Sequence, residues 1–302
     1  MRIAAHLGVK DEVELIEDAI AHLRSIGVDH IVAVDGFSSD GTADILARHC
    51  NKDDFWFVQL DDLEPDGDDK IWLRRSLEAM DGVRADWVIF LDADERWLPA
   101  SGSLHDCAGL ADADVLSVPR YNVVLAPGGP TLPRMPTPSD YDSTFLFVEP
   151  IPGFQNHLRM NPKTPWIRGV PGAKAMARPE RIGALTDGMH DIVANEGPEL
   201  RYRVPDDLLV AHLPFTTLPR FRQKIVNIRQ SIAVHDVYLG DALAWHWRRW
   251  LALSDEGKVN EEFSRQIYDA EEITTLLSSG IVRSVSDMLT AADVQRGIAR
   301  AS

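Results

Sequence analysis

Short apolar runs alternate with amphipathic stretches through the N-terminal third of the chain. Arg2 to Leu7 (RIAAHL) reads as a strand, and Glu12 to Ile26 carries Val13, Ile16, Ala19, Ile20, Leu23 and Ile26 at helical spacing, closed by Gly27 as a C-cap. His30 to Val34 (HIVAV) is a second buried strand that stops at Asp35. A polar turn, GFSSDGT, leads into a helix from Thr42 to His49, with Asp40 placed to cap it. Phe55 to Leu60 is a third strand, Asp69 to Val83 a third helix, and Trp87 to Leu91 a fourth strand. Continuous apolar runs of strand length suit strands covered on both faces, and their alternation with helices predicts a mainly parallel, Rossmann-like α/β sheet flanked by helices.

The fourth run ends abruptly in Asp92-Ala-Asp94, with Glu95 beside it. Ligands of open α/β sheets collect outside the carboxyl ends of the strands. Side chains two apart on an extended chain point to one side, so both carboxylates are expected to face one ligand. Mg²⁺ or Mn²⁺ commonly takes one or two carboxylates and completes its shell with substrate phosphates. A solvated strand end is the plainer alternative, because Asp is common in turns.

Three segments, VKDE at 9–12, IVAVDGFSSDGTADIL at 31–46 and DWVIFLDADERWL at 86–98, together resemble the nucleotide-sugar half of family 2-like glycosyltransferases of the GT-A fold, in the type 4-like subset. The resemblance implies a metal-dependent, non-processive transfer of a sugar from a nucleoside diphosphate sugar, UDP favoured, to an unknown acceptor. It assigns Asp35 to the nucleoside, with Lys10 and Glu12 near it; Arg75 to the helix before the Asp-x-Asp; Asp92 and Ala93 to the nucleotide sugar; and Asp94, with Asp92, to the Mn²⁺ or Mg²⁺ ion. Asp11 stands where the family usually has Asn. The stretch GVPGAKAMARPERIGALTDGMHD at 169–191 is similar to a later part of the family and nominates Lys174 for the diphosphate and His190 as a late metal ligand. AHLPFTTLPRFRQKI, beginning at Ala211, resembles a His-x-Pro stretch of the same group and makes His212 the competing ligand, with Lys224 and Arg222 as cations for the leaving diphosphate. Asp191 and Asp187 are the candidates for the acceptor's base, with Glu149 an outsider. No Gln-x-x-Arg-Trp motif of the polymerising synthases is present.

The expected organisation is a nucleotide-sugar half at 1–98, an acceptor half of the same domain at 99–235, and a helical C-terminal extension at 236–302. Leu116 to Leu125 reads as one or two strands, and the Pro/Gly-rich stretch at 126–140 as a long loop bordering the acceptor. LAWHWRRWLAL, starting at Leu243, suits a helix packed on the catalytic domain or on a second subunit, with a membrane surface as the less favoured partner.

Composition narrows the partners. At 302 residues the chain buries a large core, and a net charge of −16, partly from the acidic stretch at 53–69, disfavours nucleic acid and anionic membranes. No run approaches the ~20 apolar residues of a membrane span, and the N-terminus lacks a basic segment followed by a signal-peptide core. Cys50 and Cys107 alone make no disulfide framework. The expected compartment is a bacterial-type cytoplasm, with a peripheral place at a membrane as the alternative. Two other functions stay open: a non-catalytic nucleotide or sugar binder on the same fold, and a phosphatase of the haloacid-dehalogenase type, whose Asp-x-Asp usually follows the first strand.

Overall fold

The computed structural model describes residues 1–50, 52–60, 71–235 and 245–289. In chain order the elements are β1 (Ile3–Val9), α1 (Ile16–Ser25), β2 (His30–Asp35), α2 (Thr42–His49), β3 (Phe55–Gln59), α3 (Ile71–Met80), β4 (Trp87–Asp92) and β5 (Glu95–Pro99). They continue with β6 (Val115–Val118), β7 (Arg120–Asn122), β8 (Leu125–Ala126), β9 (Gly129–Pro130), β10 (Phe145–Phe147), α4 (Phe154–Met160), β11 (Lys174–Ala177), β12 (Ile182–Leu185), β13 (Ile192–Ala194), β14 (Tyr202–Arg203) and β15 (Leu208–His212). The chain ends in α5 (Leu218–His235), α6 (Trp245–Asp255), α7 (Val259–Ser264), α8 (Ala270–Ser278) and β16 (Val282–Ser284).

Among the described residues a seven-stranded sheet runs β14-β6-β11-β4-β1-β2-β3. Strands β3, β2, β1 and β4 are parallel, β11 lies antiparallel to β4 and β6, and β14 is parallel to β6. Every residue of β1 and β2 is buried, as the unbroken apolar runs require of a sheet covered on both faces. One core packs the face of Ile3, Ala5, Leu7 and Ile89 against α1; the other gathers Ala4, Val32, Val34 and Phe90. Gly27 follows α1 at φ +90°, and an added Cβ would meet the His105 ring at 2.8 Å, so the helix stop is both a backbone and a packing requirement.

The α/β class and the order of the first four strands follow the sequence reading. Some local expectations are corrected. The segment at 116–125 forms three strand pieces, β6, β7 and β8, because the chain leaves the large sheet after Val118 to join a second one. The Pro/Gly-rich stretch contains the β8–β9 hairpin, and Arg134 ties it to α1 through Glu14 O and Asp18 at 2.8 and 3.0 Å. The N-cap of α2 is Gly41 rather than Asp40, although Asp40 does accept the Thr42 amide at 3.0 Å and also the Val13 amide. Residues 61–69 of the acidic stretch, the first residues of the expected third helix, and residues 236–244 (Leu243 among them) and 290–302 of the expected C-terminal extension lie outside the described residues.

A second sheet, β5-β15-β7, sits beside the first. Below it an aromatic core collects Phe147, Phe215, Phe221, Trp250 and Tyr268 with half-buried Trp166 and Trp247. Trp250 lies 5.3 Å from Phe221 and 5.2 Å from Trp166, ring centre to ring centre, so the tryptophan-rich segment packs on α5 and the loop before β11. No described helix is long and apolar enough to cross a membrane.

Candidate active site

Strands β1, β2 and β4 end together at Val9, Asp35 and Asp92, and the loops beyond them form one edge. Among the described residues three non-glycine residues adopt positive φ: Asp11 (52°), Phe37 (62°) and Met189 (54°). Each belongs to a loop at this edge, where stored backbone strain of about 1–3 kcal/mol per residue is characteristic of functional sites. Asp11 is held by its neighbours, accepting from Ser39 N at 2.6 Å while its own amide donates to Ser38 Oγ at 2.7 Å. Asp35 is fully buried and accepts from Ser38 Oγ at 2.5 Å and Gln59 Nε2 at 3.3 Å. Lys10 folds over the same loop, donating to Gly36 O at 2.8 Å and Phe37 O at 3.2 Å.

The expectation that Asp92 and Asp94 share one face is corrected. The chain turns at Ala93-Asp94 to start β5, and the turn sends the two carboxylates to different partners. Asp92 accepts from Lys174 Nζ at 2.9 Å. The same ammonium lies 3.4 Å from Glu95 Oε2 and donates to Gly188 O at 3.2 Å, and Arg120 donates to Glu95 Oε1 at 2.5 Å. Burial disfavours the charge of Lys174, but Asp92 and Glu95 outweigh it and raise its pKa. Burial pushes Glu95 above the ordinary carboxylate range despite Lys174 and Arg120.

Asp94 faces the second sheet and α5. Its Oδ2 accepts from Arg220 at 2.9 Å and Lys224 at 3.1 Å, while Oδ1 faces His212 Nε2 at 3.7 Å. Burial works to raise its pKa, yet the cations beside it, Lys224 first and then Arg220, hold it well below the usual range. Arg220 also grips both oxygens of Glu12, at 2.7 and 2.8 Å. The strand register explains these meetings: antiparallel pairing with β5 sets His212 opposite Glu95, and parallel pairing with β7 sets it beside Asn122. Burial lowers the pKa of His212 to about 4, with Asp94 opposing, so the imidazole is neutral near pH 7.

The two nominated histidines separate. His212 stands against Asp94; His190 donates through Nδ1 to Ala173 O at 2.9 Å, on the side of Lys174 and Asp92. A donor there is required by the carbonyl, so Nδ1 carries the proton. Asp191 is turned to the sheet edge, where its Oδ1 accepts from Tyr202 Oη at 3.1 Å. Glu149 is exposed just past β10. The side chains of Arg75 and Asp187 lie outside the described residues. Arg222 points away, donating to Asn260 at 2.8 Å, and the basic residue that shares the site with Lys224 is Arg220. Its spacing of four from Lys224 was the available signal, since such residues share a helix face. Glu95 was marked only by its place beside the Asp-x-Asp, and Arg120 and Asn122 carried no local sign.

A mainly parallel sheet with acids gathered past its strand ends defines an α/β protein whose candidate site lies in the crevice outside those ends. Residues 8–178, more than half of the chain, match the model of glycosyl transferase family 2, and the chain belongs to that family. No curated protein matches it. Solved structures similar to it include S. aureus TarS 1-349 in complex with UDP, at 21% identity and TM-score 0.33 over 41% of this chain and 36% of that one. The mannosyltransferase PcManGT from Pyrobaculum calidifontis, in complex with GDP-Man and Mn²⁺, is 15% identical with a TM-score of 0.39 over 97% and 80% of the two chains. Glucosyl-3-phosphoglycerate synthase from Mycobacterium tuberculosis, in complex with Mn²⁺, UDP and glucosyl-3-phosphoglycerate, is 16% identical with a TM-score of 0.33 over 61% and 59%. The chain thus spans about a third of the first of these, and likeness at this level says nothing of substrate.

Proposed function

We propose that the chain transfers a sugar from a nucleoside diphosphate sugar, with UDP the favoured nucleotide, to an acceptor hydroxyl, one residue at a time and with a divalent ion. The observation that carries this reading is the facing of Asp94 Oδ1 and neutral His212 Nε2 at 3.7 Å, beyond hydrogen-bond reach. A carboxylate oxygen and an imidazole nitrogen in that relation suit a shared cation. Among the described residues no group of three or more His, Cys, Asp or Glu side chains is gathered to hold an ion unaided. Two protein ligands with phosphate oxygens and water match the way Mg²⁺ or Mn²⁺ is commonly held at phosphates. Asp94 and His212 are therefore the proposed ligands, Asp92 an outer one, and His190 a residue of the sugar side. When bound, the ion would neutralise the diphosphate as the leaving group departs.

The protein's own residues supply the rest. Asp35, Lys10 and Glu12 would receive the nucleoside at the ends of β1 and β2, with Arg75 on α3. Lys224, less enclosed than Arg220, is suited to move from Asp94 to the phosphates. Lys174 would hold Asp92 and Ala93 against the donor sugar. The base that takes the acceptor's proton is proposed on the loop at 187–191, as Asp187 or Asp191, and Asp191 would first release Tyr202. The compartment that composition favours is the cytoplasm, with a peripheral place at a membrane as the alternative.

The test is thermal stability of the purified protein with UDP, GDP, dTDP or CDP, each with Mn²⁺ or EDTA, on the wild type and Asp94→Ala. A ligand that binds only the native state raises the melting temperature. Stabilisation by one nucleotide that needs Mn²⁺ and vanishes in Asp94→Ala is expected. Failure of all four nucleotides would remove the reading, and binding without sugar transfer or donor hydrolysis would leave a non-catalytic binder.

A further inference from the structure

We infer that Asn122 is the positioning residue of this site: it fixes the tautomer of His212 and, through the same carboxamide, ties the loop before β11 to the metal position. The inference rests on the proposed ligand role of His212 and deepens it.

Asn122 is fully buried on β7. Its Nδ2 donates to Ile167 O at 3.0 Å and Gly169 O at 2.6 Å, while its Oδ1 lies 2.7 Å from His212 Nδ1. Two carbonyl oxygens around one end of the carboxamide leave no freedom in its orientation, because only the NH₂ group can donate to them. The end facing His212 is therefore the acceptor. An acceptor at 2.7 Å requires a proton on Nδ1, and in a neutral imidazole the lone pair is then on Nε2. That lone pair faces Asp94 Oδ1. The tautomer is thus dictated by two backbone carbonyls on the far side of Asn122, before any ion is present.

The loop at 166–172 is bound to β7 by a further bond, Arg120 Nε to Gly172 O at 2.9 Å. Arg120 also holds Glu95, the neighbour of Asp94. Residues 120 and 122 of one short strand therefore join this loop to Glu95 on one side and to His212 on the other. A histidine ligand's second nitrogen usually meets a carboxylate, carbonyl or water, and loss of such a partner costs about 10–100-fold in metal affinity.

Two variants separate the ligand role from mere packing. Asn122→Asp keeps an acceptor for His212 Nδ1 and loses both donors to the loop; Asn122→Leu loses all three bonds at similar volume. Mn²⁺ affinity in the presence of excess UDP, or whichever nucleotide stabilises the protein, is read by electron paramagnetic resonance, with the ¹⁴N modulation of the bound ion as the signature of imidazole. The expected result is retained affinity and ¹⁴N coupling in Asn122→Asp, and affinity about 10–100-fold weaker with lost coupling in Asn122→Leu. Equal weakening in both variants would overturn the inference. If neither variant folds, ¹⁵N–¹H correlation of the metal-free wild type decides: a proton on Nδ1 of His212 supports it, and one on Nε2 overturns it. Absence of Mn²⁺ binding by the wild type would instead sink the functional reading itself, a separate and recognisable outcome.

Discussion

Replacing Arg220 by Met should destabilise the protein by about 3 kcal/mol, the lower end of the ~3–5 kcal/mol expected when one partner of a buried ion pair is removed. Arg220 makes bonds to both oxygens of Glu12, to Asp94 Oδ2 and to Leu213 O, between 2.7 and 3.2 Å. Asp94 would keep Lys224, so the orphaned charge is Glu12, whose side chain is only 16% exposed. Water can therefore replace little of what is lost. For a chain of this size about 3 kcal/mol corresponds to roughly 5 °C in melting temperature. Urea unfolding at pH 7 in EDTA measures it free of any bound ion. Glu12→Gln in the Arg220→Met background should recover part of the loss, because no unpaired charge then remains, giving a coupling of about 1–3 kcal/mol in the double-mutant cycle. A single-variant loss below about 1 kcal/mol, or strict additivity in the cycle, would refute the view that Arg220 is structurally paired to Glu12.

Three further outcomes follow from other parts of the molecule. Burial lowers the pKa of His22 to about 3 from 6.5, with Arg96 adding to the effect and the bond to Trp97 O at 2.9 Å opposing it. The unfolded chain therefore binds the proton first: this contribution to stability is complete above pH 6.5 and declines as pH falls toward 3, by up to about 1.4 kcal/mol per unit. His22→Gln, which keeps a donor for Trp97 O, should flatten the stability profile between pH 6.5 and 4.5 by about 2–3 kcal/mol, and an unchanged slope would count against it. Trp250→Ala should cost about 3–5 kcal/mol in urea unfolding through the cavity left among Phe215, Phe221 and Trp166, and a cost under about 1 kcal/mol would mean that α6 does not hold to α5. Lys174→Met, leaving fully buried Glu95 with Arg120 as its remaining cation, should cost about 3 kcal/mol and abolish nucleotide-sugar stabilisation; full retention of that stabilisation would remove Lys174 from the donor site.

The sheet was legible because its strands are buried on both faces: Ile3–Val9, His30–Asp35 and Trp87–Asp92 are mostly apolar runs of strand length, and each terminates at or beside a charged residue of the candidate site. What escaped was non-local. His212 meets Asn122 through a parallel register ninety residues apart in sequence, and nothing near either residue records that pairing. Arg120 resembles an ordinary solvated charge in one dimension, and although Lys174 was nominated and Glu95 noted beside the Asp-x-Asp, nothing local shows that the three neutralise one another in the interior, where none could stand alone. Arg222 and Arg220 illustrate the finer limit. Two residues apart on α5, they differ by about 200° around the helix axis, and only knowledge of which face meets Asp94 distinguishes the partner of Asn260 from the partner of Glu12.

The reversal at Ala93-Asp94 gives the Asp-x-Asp two roles instead of one. Asp92 closes β4 and is held by Lys174, which comes from the large sheet. Asp94 begins the crossing into the second sheet, where Leu213 N donates to its carbonyl at 2.8 Å and α5 supplies the cations for its carboxylate. Adjacent acids along the chain are thus anchored to separate bodies of structure, and their separation depends on how the second sheet is seated on the first. Trp97, fully buried on β5 and packed in the core beneath α1, fixes that seating. The geometry proposed for Asp94 and His212 therefore rests on hydrophobic packing and strand register, and the turn between the acids is itself part of that packing, because Ala93 is buried in the same core as Trp97.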